Sequence, residues 1–141
     1  MSAVKVCELF KKSKGWYGFF VEFHNYKLCG EQPAIFGRDA PLDLQDMHHI
    51  HLAGTSAIQA LWASRLNPYH RTVPLSEPEH DYWLIYAHDD VRDEYLLLTI
   101  TGPHAHSRAK WGAYLRTLAN EIVEPWISGR VTYSDPDDDL R

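Results

Sequence analysis

With 141 residues, 45% of them hydrophobic, the chain is long enough to bury one sizeable core and short for two, so a single globular domain is expected over residues 1–133. Its apolar runs are too short to span a bilayer, and the start, Met-Ser-Ala-Val-Lys-Val-Cys-Glu, has no apolar signal core, so a cytoplasmic location is expected. The net charge of −5 argues against generic high-affinity binding to nucleic acid, but residues 135–141 account for −3 of it, and the −2 on residues 1–134 leaves room for local basic clusters.

Val4 and Val6 alternate with polar neighbours, as in a short first strand. Trp16, Phe19, Phe20 and Phe23 recur at helical spacing with Gly30 as a stop, so this aromatic stripe reads as the core face of an amphipathic helix. Met47–Ala53 reads as a strand, and Ile58, Leu61 and Trp62 suggest a short helix capped by Thr55. Residues 67–80 hold three prolines and read as a surface loop. Residues 82–88 and Glu94–Thr101 are strand-like and joined by five mostly polar residues, an antiparallel hairpin. Ser107 caps a C-terminal helix whose apolar face runs from Trp111 to Val123, and Pro125 should end or kink it. Residues 134–141 read as an acidic, disordered tail. Cys7 and Cys29 are too few and too far apart for a disulfide framework or a Cys-based zinc site, and should stay reduced and partly buried. The elements add up to an α+β fold, a small antiparallel sheet of three or four strands with helices packed on one face.

Two stretches concentrate reactive side chains. In residues 32–52, Arg38 and Asp39 precede His49 and His51, which as i and i+2 of a strand share one face, with His48 opposite. Gly37 could supply a positive φ and make residues 35–39 a rigid loop that holds Arg38 outward, with Asp39 orienting Arg38 or a histidine. Residues 102–110 add His104, His106, Arg108 and Lys110. His24, His70, His80 and His88 stand alone and read as structural.

The Ile-Phe-Gly-Arg-Asp run at 35–39, His-Ile-His-Leu at 49–52, Leu-Ile-Tyr at 84–86 and Pro-x-x-His at 103–106 occur in the order and rough spacing of the YafO family of toxins, which the chain resembles over residues 32–119. It departs from that pattern between His51 and Leu84, where Arg71-Thr72 leads into a longer polar, proline-containing stretch. The resemblance implies the toxic half of a type II toxin–antitoxin pair, a ribosome-dependent mRNA interferase with a cognate antitoxin, the ribosome and mRNA as partners. It also places the fold, by analogy, near the compact RelE-type toxins.

RNA carries its own nucleophile, the 2′-hydroxyl. Cleavage without a metal therefore needs a base for that proton, an acid for the leaving 5′-oxygen, and cations for the phosphorane. Histidine suits both proton roles, and arginine suits the phosphate oxygens. The candidate catalytic residues are His49, His51, His106 and Arg38, although Arg38 could equally be one half of a structural pair with Asp39 or Asp43. Arg71, Tyr86, His104, Arg108 and Lys110 are candidate RNA contacts, Tyr86 being by its residue type more often sheet packing. No cofactor is expected. A metal site built from His49, His51, His104 and His106 is the weaker reading, since the expected nearby Glu and flanking glycines are missing and imidazole pairs occur often without metal. A module that inhibits a partner by docking alone is the other alternative. The catalytic reading requires the segments near 50 and 105 to meet, as they would if the 47–53 strand neighboured the 94–101 strand.

Overall fold

The computed structural model describes residues 2–136. Its strands are β1 (Ala3–Val6), β2 (Phe36–Pro41), β3 (Met47–Ala53), β4 (Asp81–Asp89) and β5 (Glu94–Thr101), forming one sheet in the order β1-β5-β4-β3-β2. β1 runs parallel to β5 and the other neighbours are antiparallel. The α+β class stands, with five strands in a mixed sheet instead of three or four in an antiparallel one.

The additional strand is β2, the segment expected as a rigid loop. Glycine, aspartate and proline are poor strand formers, and the pairing of β2 with β3 is irregular between Phe36 and Asp39, so its sequence carries no clean alternation. Gly37 is required there for a reason other than a positive φ. A Cβ at this position would lie 2.2 Å from the Arg71 carbonyl oxygen and 2.8 Å from the Trp62 ring, so only glycine lets the 62–73 segment close onto the strand.

The helices are α1 (Trp16–Leu28), α2 (Ser56–Ala63), α3 (Arg108–Leu118) and α4 (Glu124–Ile127). Thr55 Oγ1 accepts the Ile58 N–H and Ser107 Oγ accepts the Lys110 N–H, the caps expected of both. Pro125 does not end the last helix. A π turn over Ala119–Val123 precedes it, Pro125 sits in the first turn of α4, and the chain stays helical to Ile127. A wider turn placed just ahead accommodates a ring that would otherwise strike the carbonyl one turn back.

The β3·β4 register separates the two faces of the sheet. His48, Ile50 and Tyr86 point one way, and Met47, His49, His51, Trp83 and Ile85 the other. α1 covers the first face, with the Phe23 ring 4.9 Å from that of Tyr86 and 5.6 Å from that of Tyr95. α3 covers part of the second, where Tyr114 Oη lies 2.8 Å from Oγ1 of Thr99, the residue opposite Ile85. Helices therefore pack on both faces, not one. The cause lies in the central strands: Trp83, Leu84, Ile85, Tyr86 and Ala87 are all buried, so both faces of β4 need cover. A smaller cluster of Ala53, Ile58, Trp62 and Val73 fastens α2 to the edge of β3.

Both cysteines are free, Cys7 buried and Cys29 exposed where partial burial was expected. No helix among the described residues is long and apolar enough to cross a membrane. Of the expected tail, Ser134 and Asp135 are exposed and Pro136 is buried; residues 137–141 lie outside the described part.

Candidate functional site

His49 and His51 project from one face of β3 as the period of two requires, their ring centroids 5.2 Å apart. β4 sets Trp83 directly opposite His51, with its ring 4.2 Å from His49 and 5.6 Å from His51. β3 and β5 are not neighbours, since β4 lies between them. The histidines meet because the loop after β5 folds back across the start of β4. Gly102 permits the reversal with φ +138°, against a Tyr82 ring only 2.3 Å from where a Cβ would sit. The loop is then stitched down: the Ala105 N–H donates to the Asp81 carbonyl at 3.1 Å and the His106 N–H to Asp81 Oδ2 at 2.9 Å.

That same Oδ2 lies 2.5 Å from His106 Nδ1, an Asp–His pair in which a buried carboxylate orients a half-exposed imidazole. The His106 ring stands 5.4 Å from His51 and 4.7 Å from Trp83. Asp81 and Trp83 were not singled out from sequence. Their i, i+2 spacing on one strand was visible, but the carboxylate gains its partner only through the returning loop.

Among the described residues, the buried side-chain polar atoms without a hydrogen-bond partner are His49 Nδ1, His51 Nδ1, Asp81 Oδ1, Trp83 Nε1 and Thr101 Oγ1. All belong to this one patch, Thr101 facing Trp83 across the β4·β5 ladder. Such a group costs about 1–3 kcal/mol when left unsatisfied, and a concentration of them is a place that ordered water or a polar ligand would satisfy.

Burial lowers the imidazoles of β3. His51, 2% exposed, is pulled down to about 3, with the charges of His49, His106 and Arg38 adding to the effect of burial. Burial likewise takes His49 down to about 4. Both are neutral at physiological pH. The unfolded chain binds more protons than the folded one below the ordinary value of 6.5, so this contribution is fully present above pH 6.5 and is lost as pH falls through 6.5 towards 4. We therefore expect folding stability to drop by an order of a few kcal/mol between neutral pH and about pH 5. Urea unfolding at the two pH values checks this, and the drop should shrink in His51→Gln.

Arg38 lies on the histidine side of β2. Its Nε donates to the Tyr69 carbonyl at 2.7 Å and its guanidinium stacks 4.0 Å over the Tyr69 ring; neither Asp39 nor Asp43 is its partner. Asp39 faces the opposite way. It accepts from Tyr26 Oη at 3.0 Å, Lys27 Nζ at 2.6 Å and Tyr86 Oη at 2.7 Å, and burial together with this carboxylate pushes both phenols up. Strand alternation thus takes Asp39 out of the orienting role expected for it. Tyr86, 2% exposed and under α1, has no face left for RNA. Arg71 is turned to structure, its Nε donating to the Arg65 carbonyl and its Nη1 to the Phe36 carbonyl.

His104 holds a positive φ of 61° in the loop, and its N–H donates to the Pro78 carbonyl. It is not part of the His51–Asp81–His106 group. Arg108 is 89% exposed and 3.7 Å from Asp43; Lys110 is exposed on the first turn of α3. Beside His106 a cleft of about 390 Å³ opens between the sheet and α3, walled by Leu44, Trp83, Trp111, Arg108 and Arg116.

The family model described as "Toxin YafO, type II toxin-antitoxin system" matches residues 24–128, a span that contains every member of the histidine cluster. No curated protein and no solved structure matches the chain.

Proposed function

Since the chain belongs to the YafO family of type II toxin–antitoxin toxins, which implies a cognate antitoxin, we propose that it is an endoribonuclease that cleaves mRNA on the ribosome from the cytoplasm, with the His106–Asp81 pair at its centre. The observation that carries this reading is the collection of unpartnered buried polar groups around one half-exposed histidine. Asp81 fixes His106 through Nδ1, which leaves Nε2 for the substrate. His106 Nε2 takes the 2′-hydroxyl proton, the 2′-oxygen bonds to phosphorus, and the P–O5′ bond breaks as the leaving oxygen takes a proton from water, the imidazolium returning its own to solvent. The products are a 2′,3′-cyclic phosphate and a 5′-hydroxyl.

His49, held neutral by burial, serves better as an N–H donor to the phosphorane than as its acid or base, with His51, 2% exposed, packed behind it as a positioning residue, and Arg38 supplies positive charge from the neighbouring strand. The cleft walled by Trp83, Trp111, Arg108 and Arg116 offers an aromatic and cationic seat for a nucleotide. The ribosome supplies the substrate positioning that a chain of net charge −5 lacks. By analogy, the sheet and helices belong near the RelE-type toxins. Inducing the chain in a bacterium, with and without its antitoxin, and mapping mRNA 5′ ends tests the proposal. New ends inside translated messages, suppressed by the antitoxin, are expected; growth arrest without new ends would leave a toxin that acts by docking alone.

A further inference from the structure

The chemistry gathered around His106 fits a second kind of ligand. We propose that His51, Asp81 and His106 form a binding site for a divalent transition-metal ion of the zinc class, and that its occupancy switches the toxin off. The binding stands on its own geometry; the inhibition rests on the ribonuclease reading above.

Two imidazoles and a carboxylate are a donor set that zinc accepts readily. One ligand atom from each of the three residues lies within 4.8 Å of the others. Tetrahedral zinc with bonds of about 2.0–2.2 Å holds its ligand atoms about 3.3–3.6 Å apart, so a separation near the 4.8 Å limit has to close by about an ångström, and the 2.5 Å hydrogen bond between His106 Nδ1 and Asp81 Oδ2 has to open. His51 and Asp81 are anchored on adjacent strands, whereas His106 is on a loop with its side chain half exposed and is the member free to turn. His51 is 2% exposed and Asp81 4%, and each keeps an unpartnered polar atom, His51 Nδ1 and Asp81 Oδ1. The carboxylate missing from a histidine-only reading of the sequence is thus supplied by the start of β4. A metal held by His106 ties up the imidazole that takes the 2′-hydroxyl proton, and on His51 it places a dication beside Arg38, so the bound form cannot act as a base.

Titrating the purified full chain with zinc chloride by calorimetry, without RNA, is the direct test. One ion per chain is expected, with magnesium producing no binding because it prefers oxygen ligands. His51→Ala and His106→Ala should each weaken zinc binding by at least about tenfold, while His104→Ala should leave it unchanged. Circular dichroism shows whether each variant is folded, and His106→Ala changes only a half-exposed side chain should His51→Ala fail to fold. Absence of zinc binding, or equal affinity in wild type and folded His106→Ala, would overturn the site. Zinc binding with unchanged RNA cleavage would overturn its inhibitory role. Zinc binding to a chain that cleaves no RNA under any condition would leave the site standing and remove the ribonuclease reading instead.

Discussion

His106→Ala should leave the protein folded and cut mRNA cleavage by about 10²–10⁴-fold, the usual range for loss of a group that moves a proton in the transition state. The side chain is half exposed, so its removal uncovers only the parts of Trp83 and His51 against which its ring lies. Asp81 loses one of two hydrogen bonds from this residue but keeps the other, from the His106 backbone N–H at 2.9 Å, and the loop remains tied by the Ala105 N–H. A melting temperature within a few degrees of wild type, measured with cleavage on the same preparation, is the expected pair of results. An inactive variant that is also unfolded would mean that His106 holds the loop and does nothing else. Asp81→Asn makes a useful companion. It keeps the shape of the contact but offers the imidazole a weaker acceptor, so cleavage should fall with a change in its pH profile, a readout that a purely structural aspartate would not move.

Asp39→Ala should do the opposite, destabilising the fold strongly by about 3 kcal/mol. Asp39 is adjacent in sequence to Arg38 but belongs to the other face of the sheet, where it accepts hydrogen bonds from Tyr26, Lys27 and Tyr86. Its removal leaves the Lys27 ammonium among three tyrosine rings and two hydroxyls without their acceptor. The side chains of Lys27 and Asp39 retain 19% and 15% exposure, which puts the cost at the low end for breaking a buried pair. Tyr86→Phe removes only one of the three bonds and should cost about 1 kcal/mol. Urea unfolding of the two variants gives both numbers; equal, near-zero losses would show that the cluster contributes nothing to stability.

How much of this was legible in the sequence varies with how local each feature is. Met47–Ala53 and Glu94–Thr101 were legible to the residue, because runs rich in β-branched, aromatic and histidine side chains end at loop-forming segments. The caps Thr55 and Ser107 were legible because an N-cap depends on only four consecutive residues. So was the shared face of His49 and His51, which needs nothing but the period of a strand. The role of Asp81 was not, since it depends on a loop 25 residues away returning across the start of β4. Nor was the division of Arg38 from Asp39, because β2 has a glycine, an aspartate and a proline in six residues and did not read as a strand. Tyr86 was misplaced among the RNA contacts for a related reason: on a strand buried on both faces, alternation alone does not say which side looks towards the site.

The central question is whether the RNA is cut by the chemistry of the His106–Asp81 pair. Purified wild-type and His106→Ala protein added to a reconstituted translation system with a defined mRNA, followed by analysis of the new 3′ ends, tests this directly. Cleavage only in the presence of ribosomes, leaving 2′,3′-cyclic phosphate ends with the wild type and reduced by about two orders of magnitude or more with the variant, is the predicted result. The same ends produced at the same rate by both proteins, or intact mRNA with the folded wild type, would contradict it.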